Sequence, residues 1–215
     1  MVSQSSVSDI AGFLHSLLLI LPQMPFILYF CPKQGGSLKT ILSQQQLNIT
    51  LDRLCHELIE DHLYFEDTVL IGLQPRGIYL SDRIHQKLSK ILPETAIQYG
   101  RLDITFYRDD YNQKGSMPVP NKTDINFSIE NKNVVLIDDV LYTGRTIRSA
   151  LEAILDFGRP EKLELLVLID RRFSRQIPIQ PDYTGRSIDS IISQKVKVCW
   201  AEKDDEDKVV LIDQR

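Results

Sequence analysis

Two adjacent acids, Asp138 and Asp139, close the apolar run Val134-Val-Leu-Ile137, and three residues later comes the string Thr143-Gly-Arg-Thr146. Carboxylates that emerge side by side at the end of a buried strand raise each other's cost of ionisation, so they need a compensating ligand. A divalent cation or a pair of vicinal hydroxyls would serve. Thr143 to Thr146 opens a helix: the glycine permits a tight turn, free N–H groups and the positive helix end face outward, and two hydroxyls and a guanidinium add donors. That is a cradle for a phosphate monoester. One ligand with a diol and a phosphate a sugar-length apart satisfies both halves, namely a ribose 5-phosphate. Paired acids also follow an apolar strand in response-regulator receivers, but near the domain's start, whereas roughly a hundred residues of domain precede these. No Gly-x-x-x-x-Gly-Lys is present, so the string is not a P-loop. A chance surface turn is the remaining bland reading.

The elements that must hold these residues alternate between strand and helix. Ser43-Gln-Gln-Gln46 predicts a capping box, followed by Leu47, Leu51, Leu54 and Leu58 at helical spacing. Thr68–Leu73 reads as a strand buried on both faces, then the loop Gln74-Pro-Arg-Gly77 and a helix with Leu80, Ile84, Leu88 and Ile91 inward. Leu102, Ile104 and Phe106 alternate with polar residues as a half-exposed strand, before a polar loop from Arg108 to Asn126. Asn133–Asp138 and Glu164–Asp170 are further buried strands, separated by a helix with Ile147, Ala150, Leu151, Ile154 and Leu155 on one face and stopped at Gly158-Arg-Pro160. Lys195–Glu202 and Lys208–Asp213 predict a C-terminal hairpin around an acidic turn. The pattern is α/β, with a mainly parallel central sheet flanked by helices and ligands at the strands' carboxyl ends.

The chain has 215 residues, 43% hydrophobic and 25% charged, which excludes whole-chain disorder, collagen and a coiled-coil rod. Its formal charge of −4 supplies no global field for nucleic acid, so RNA binding would require a local basic patch. Cys31, Cys55 and Cys199 lack disulfide or zinc spacing; Cys55 and Cys199 read as buried apolar residues, and a reducing cytoplasm fits. Ile10–Pro32 carries no charged side chain, yet Pro22 and Pro25 would break a membrane helix and no positive charge precedes it. Residues 1–38 are therefore expected to be a loosely packed extension or the product of a wrongly chosen start, and 39–215 the domain.

Asp138-Asp-Val-Leu-Tyr-Thr-Gly-Arg-Thr146 resembles the phosphoribosyl pyrophosphate (PRPP) motif of type I phosphoribosyltransferases, and the chain is most similar to their PyrR family. Arg76-Gly-Ile-Tyr-Leu80, Leu102–Asp110, Gly158-Arg-Pro160, Ile169-Asp-Arg171 and Pro178–Gly185 resemble PyrR segments in the same order, from about residue 43 onward. The resemblance implies the type I phosphoribosyltransferase fold with a small hood. It implies that Asp138 and Asp139 bind the ribose hydroxyls, directly or through Mg2+, and that Thr143, Gly144, Arg145 and Thr146 hold the 5-phosphate. Gln74, Pro75, Arg76 and Gly77 would form the pyrophosphate loop, with Gln74–Pro75 expected to be cis. Arg108, Asp109 and Asp110 would begin a flexible loop, and Arg171, Arg172 and Phe173 would border the base hood. Tyr142 stands where hypoxanthine-guanine members carry an acid, which disfavours purines. Arg172-Phe-Ser-Arg-Gln-Ile177 replaces a shorter Gly-His-Arg-Glu-Leu segment of the family and alters the border of the base pocket.

The implied activity is uracil plus PRPP to UMP plus pyrophosphate, with Mg2+. The implied second role is regulation of pyrimidine genes through an operon mRNA leader, responsive to UMP or UTP, by a cytoplasmic homo-oligomer. Arg53, His56 and Arg175 are the candidate RNA contacts. Asp52 stands where the family often has threonine, and His56 reads equally well as a half-buried structural histidine. Two other readings are a non-catalytic nucleotide-sensing RNA regulator and a phosphoribosyltransferase for another base.

Overall fold

The computed structural model describes residues 38–108, 120–191 and 193–213. The expected extension and Cys31 lie outside the described residues, as do Asp109 and Asp110.

Ser43 caps the first helix as expected. Its hydroxyl accepts the Gln46 N–H and the Gln46 side chain accepts the Ser43 N–H, which is worth about 1 kcal/mol. Helix α1 (Gln44–His62) then buries Leu47, Leu51, Leu54 and Leu58. Strand β2 (Thr68–Gln74) is buried along its whole length and leads into α2 (Gly77–Ile91). Strand β3 (Gln98–Asp103) is followed by a short 3-10 turn, Thr105–Tyr107. Strand β4 (Asn133–Leu141), helix α3 (Arg145–Ile154), β5 (Lys162–Arg172) and β6 (Tyr183–Asp189) complete a five-stranded parallel sheet in the order β3-β2-β4-β5-β6.

Strand side chains alternate, so this sheet builds two cores. Leu70, Val135, Ile137, Leu166 and Leu168 face α1 and α2. Val69, Ile71, Val134, Leu136, Leu165 and Val167 face α3 and pack on Ile147, Ala150, Ala153 and Ile154. At roughly 1.5–3 kcal/mol per fully buried aliphatic side chain, these layers rather than any single bond fix where β4 ends. Ile91 and Leu155, expected on inner faces, lie at or beyond helix ends and are exposed.

A second, three-stranded antiparallel sheet in the order β1-β8-β7 caps the first core. It joins β1 (Leu38–Leu42), β7 (Gln194–Cys199) and β8 (Lys208–Asp213), with Leu38 opposite Ile212. The predicted hairpin is present, but β7 stops at Cys199, and a single helical turn, α4 (Ala201–Asp204), stands in its connection. Trp200 between them is fully buried against Tyr79 and Arg83. The strand expected to run through Phe106 ends instead at Asp103, whose carboxylate accepts the Thr105 N–H and hydroxyl and so turns the chain. Phe106 is consequently 64% exposed rather than inward. Cys55 and Cys199 are buried, and burial pushes the Cys55 thiol up to about 12. Among the described residues no helix is long and apolar enough to cross a membrane.

Candidate active site

Both acids emerge at the carboxyl end of β4, where they line separate cavities. Asp138, on the α3 side, lines a cavity of about 260 Å³ with Arg108, Thr143, Gly144, Arg145, Thr146 and Ser149. Asp139 lines a second cavity of about 560 Å³ with Arg76, Tyr142, Arg171, Lys195 and Lys197. Val140 and Tyr142 border both. Each acid is only 7% exposed. Burial, then the neighbouring Asp139 carboxylate, holds the Asp138 pKa well above the ordinary range. Burial also raises Asp139, against the opposite pull of Arg76, whose Nε donates to Asp139 Oδ2 at 3.0 Å.

The turn expected to cradle a phosphate forms because Gly144 caps α3 with φ of +90°, a left-handed conformation that favours glycine. The returning β5–β6 segment packs onto it: Gln176 and Ile177 donate their N–H groups to the Thr143 carbonyl at 3.0 and 3.2 Å. Arg145 Nε donates to the Gln176 side chain at 2.8 Å. On the other side, the Gln74–Pro75 peptide is cis, as expected. Gly77 has no room for a side chain, since a Cβ there would lie 2.6 Å from the Ile137 carbonyl. Arg76 spans from Asp139 to the Val198 carbonyl and so joins the loop to the capping sheet.

The arginines read as base-side or RNA-side residues separate here. Arg171 is 5% exposed and its guanidinium stacks on Tyr142, 3.9 Å from the ring centre. It donates to Ser190 Oγ and to the Gln194 carbonyl, both at 2.8 Å, and burial lowers its pKa. It lines the cavity as an internal strut. Arg172 points away and pairs with Asp189 at 2.8 Å, while Phe173, at φ of +65°, is 84% exposed; neither lines the Asp139 cavity. The residues that do, and that sequence reasoning missed, are Gln194, Lys195, Val196, Lys197 and Val198 of β7. Their signal, lysines alternating with valines, shows a strand but not what it faces.

Arg175 is not presented as an RNA contact. It pairs with Asp170 and donates to the Leu141, Tyr142, Arg171 and Ile179 carbonyls, bracing the end of β4 just before Thr143. Arg53 is half-exposed on α1, bonded to Glu57 and to the Thr184 and Gly185 carbonyls. His56 is exposed, not half-buried. Asp52 is paired with Lys87 at 2.5 Å.

Residues 37–203 match the phosphoribosyl transferase domain family. The chain is 45% identical over 174 residues to a protein named Bifunctional protein PyrR from Elusimicrobium minutum, covering 81% of this chain and 96% of that one. It is 43% identical over 177 residues to the Chloroflexus aurantiacus protein of the same name, covering 82% and 96%. In solved structures the fold is similar to a Trypanosoma cruzi hypoxanthine phosphoribosyl transferase, with TM-score 0.62 at 17% identity over 81% of this chain and 90% of that one. A Staphylococcus aureus hypoxanthine phosphoribosyltransferase gives 0.55 at 23% identity, over 70% and 77%. With paired acids at the end of β4 beside a glycine-capped helix, and with such identity along nearly the whole of its relatives, the chain belongs to the phosphoribosyl transferase domain family, in its PyrR branch.

Proposed function

We propose that this chain transfers the ribose 5-phosphate of PRPP to uracil, and that it also regulates pyrimidine genes in response to uridine nucleotides. The observation that carries the transferase reading is the division of labour across β4. Asp138 faces a phosphate cradle, Asp139 faces a cavity lined by Arg76, Arg171, Lys195 and Lys197, and Val140 and Tyr142 connect the two.

In the reaction a bond forms between uracil N1 and the anomeric carbon, the bond to pyrophosphate breaks with its electron pair, and the N1 proton is released. The transition state resembles an oxocarbenium ion, so stabilising the departing diphosphate and excluding water are the main tasks. Thr143, Gly144, Arg145, Thr146 and Arg108 hold the 5-phosphate, the two acids hold the 2- and 3-hydroxyls, and Arg76 faces the leaving group from the loop Gln74–Gly77. The Tyr142–Arg171 stack forms the wall against which a planar base lies.

Mg2+ suits this donor set. Among the described residues no group of three or more metal-binding side chains exists, but two buried carboxylates whose ionisation is penalised are what a cation arriving with substrate oxygens would use. Bound there with PRPP, it would supply positive charge to the diphosphate.

UMP formation from uracil, PRPP and Mg2+ tests the activity. Asp138→Asn with Asp139→Asn should abolish it, and unchanged turnover in that double variant overturns the ribose assignment. For regulation the support is the name that the relatives carry, together with Arg53 and His56 on the exposed face of α1, where Lys87 offsets Asp52. Leader RNA of a pyrimidine operon should shift in a gel with UMP or UTP present. Absence of any shift removes this half and leaves the enzyme. The same reading has residues 39–215 working as a cytoplasmic homo-oligomer, with 1–38 an extension to it.

A further inference from the structure

Arg108 lines the cavity beside Asp138, and one side chain holds both the outgoing stem that carries it, 104–108, and the returning stem, 121–124. Asp103 is 9% exposed. Its Oδ1 accepts the Thr105 N–H at 3.0 Å and the Thr105 hydroxyl at 2.6 Å, on the outgoing stem. Its Oδ2 accepts the Asn121 N–H at 2.6 Å, on the returning stem. The returning stem is pinned again where Thr123 Oγ1 accepts the Asp103 N–H, and Asp124 pairs with Arg101. Gln74, in register with Asp103 across β2 and β3, donates its side-chain amide to the Lys122 carbonyl at 2.8 Å. A second anchor lies on the phosphate side: buried Ser149 of α3 donates to the Tyr107 carbonyl at 2.9 Å, immediately before Arg108.

We propose that Asp103 is a positioning residue for PRPP, acting through Arg108: one carboxylate fixes both stems so that the guanidinium enters the 5-phosphate cavity, with Ser149 as its partner on α3. This rests on the phosphoribosyl-transfer reading above. Only a carboxylate meets the geometry, because both of its oxygens accept; an asparagine turns an amide donor toward the Asn121 or Thr105 donors.

The test is PRPP binding with Mg2+, measured by calorimetry for wild type, Asp103→Asn, Ser149→Ala, Arg108→Ala and each pair with Arg108→Ala. Asp103→Asn and Ser149→Ala should each weaken PRPP roughly five- to tenfold, the scale of a lost anchoring hydrogen bond, and leave the KM for uracil unchanged. Added to Arg108→Ala, neither should weaken PRPP further. Losses that multiply with that of Arg108→Ala, or no loss at all, overturn the proposal. If Asp103→Asn does not fold, Thr105→Val, which removes the hydroxyl donor to Asp103 and leaves the carboxylate in place, decides the matter: unchanged PRPP binding in that variant overturns the proposal. No PRPP heat from wild type would overturn both readings, whereas PRPP binding without UMP formation would sink only uracil transfer.

Discussion

The contact between Arg76 and Asp139 ties the loop Gln74–Gly77 to the acid pair, while Arg76 also reaches the capping sheet, and its energy can be worked from its setting. The Asp139 side chain is 10% exposed and that of Arg76 is 35%, with Nε 3.0 Å from Oδ2. Breaking a fully buried pair costs roughly 3–5 kcal/mol, while exposed pairs contribute about 0–1 kcal/mol. With one partner buried and the other a third open to water, about 1–2 kcal/mol is the expected coupling. The measurement is a double-mutant cycle of Arg76→Met and Asp139→Asn, in urea and without ligand. Trp200 is the only tryptophan and is fully buried, so its emission reports unfolding directly. Arg76→Met should lose about 1–2 kcal/mol. Asp139→Asn should lose less, because it also removes a carboxylate whose ionisation burial disfavours. A coupling energy below about 0.5 kcal/mol, within the scatter for independent sites, would refute the idea that Arg76 is held ready by this acid.

Asp138 keeps its proton more tightly folded than unfolded, so its contribution to stability is fully present below the ordinary carboxylate value and is lost as pH rises through the elevated one. Asp138→Asn should therefore raise the neutral-pH melting temperature while removing PRPP binding; a lower melting temperature contradicts this. His62 behaves oppositely: burial depresses its pKa against the pull of Glu164, 3.0 Å away, so stability should fall as pH drops below 6.5 and on through the depressed value. Urea midpoints against pH should show that loss in wild type and a flatter curve in His62→Gln. Gly144→Ala places a side chain at φ of +90° with its Cβ 3.3 Å from Ile177. It should cost about 1–2 kcal/mol in unfolding free energy and weaken PRPP, as read by melts and calorimetry.

The placing of the acid pair and of the glycine turn was readable because it is set locally. An apolar run fixes β4, two like charges end its buried stretch, and a glycine stands immediately before α3. The helices were readable from spacing, since Leu47 to Leu58 and Leu80 to Leu88 each fill one face. Strand β6 was not, because Tyr183-Thr-Gly-Arg-Ser-Ile-Asp189 has no apolar run and becomes a strand only by pairing with β5. The arginines misled for a related reason. Arg171 and Arg175 look like surface charge in sequence, but each finds carbonyl acceptors supplied by distant segments, and a single chain of letters does not show those acceptors. The same holds for β7, whose lysines join Asp139 in lining the cavity although they lie far from it in the chain.

Strand β8 lies between β1 and β7, so the middle strand of the capping sheet follows both of its neighbours in the chain and is made after them. Until it emerges from the ribosome, β1 and β7 have nothing to pair with, Trp200 has no roof, and the Val198 carbonyl that receives Arg76 is not fixed in place. A nascent chain can therefore carry the whole parallel sheet and the Gly144 turn and still leave the Arg76 acceptor on β7 unfixed. Cleavage that removed only β8 would undo the same pairings in the folded protein.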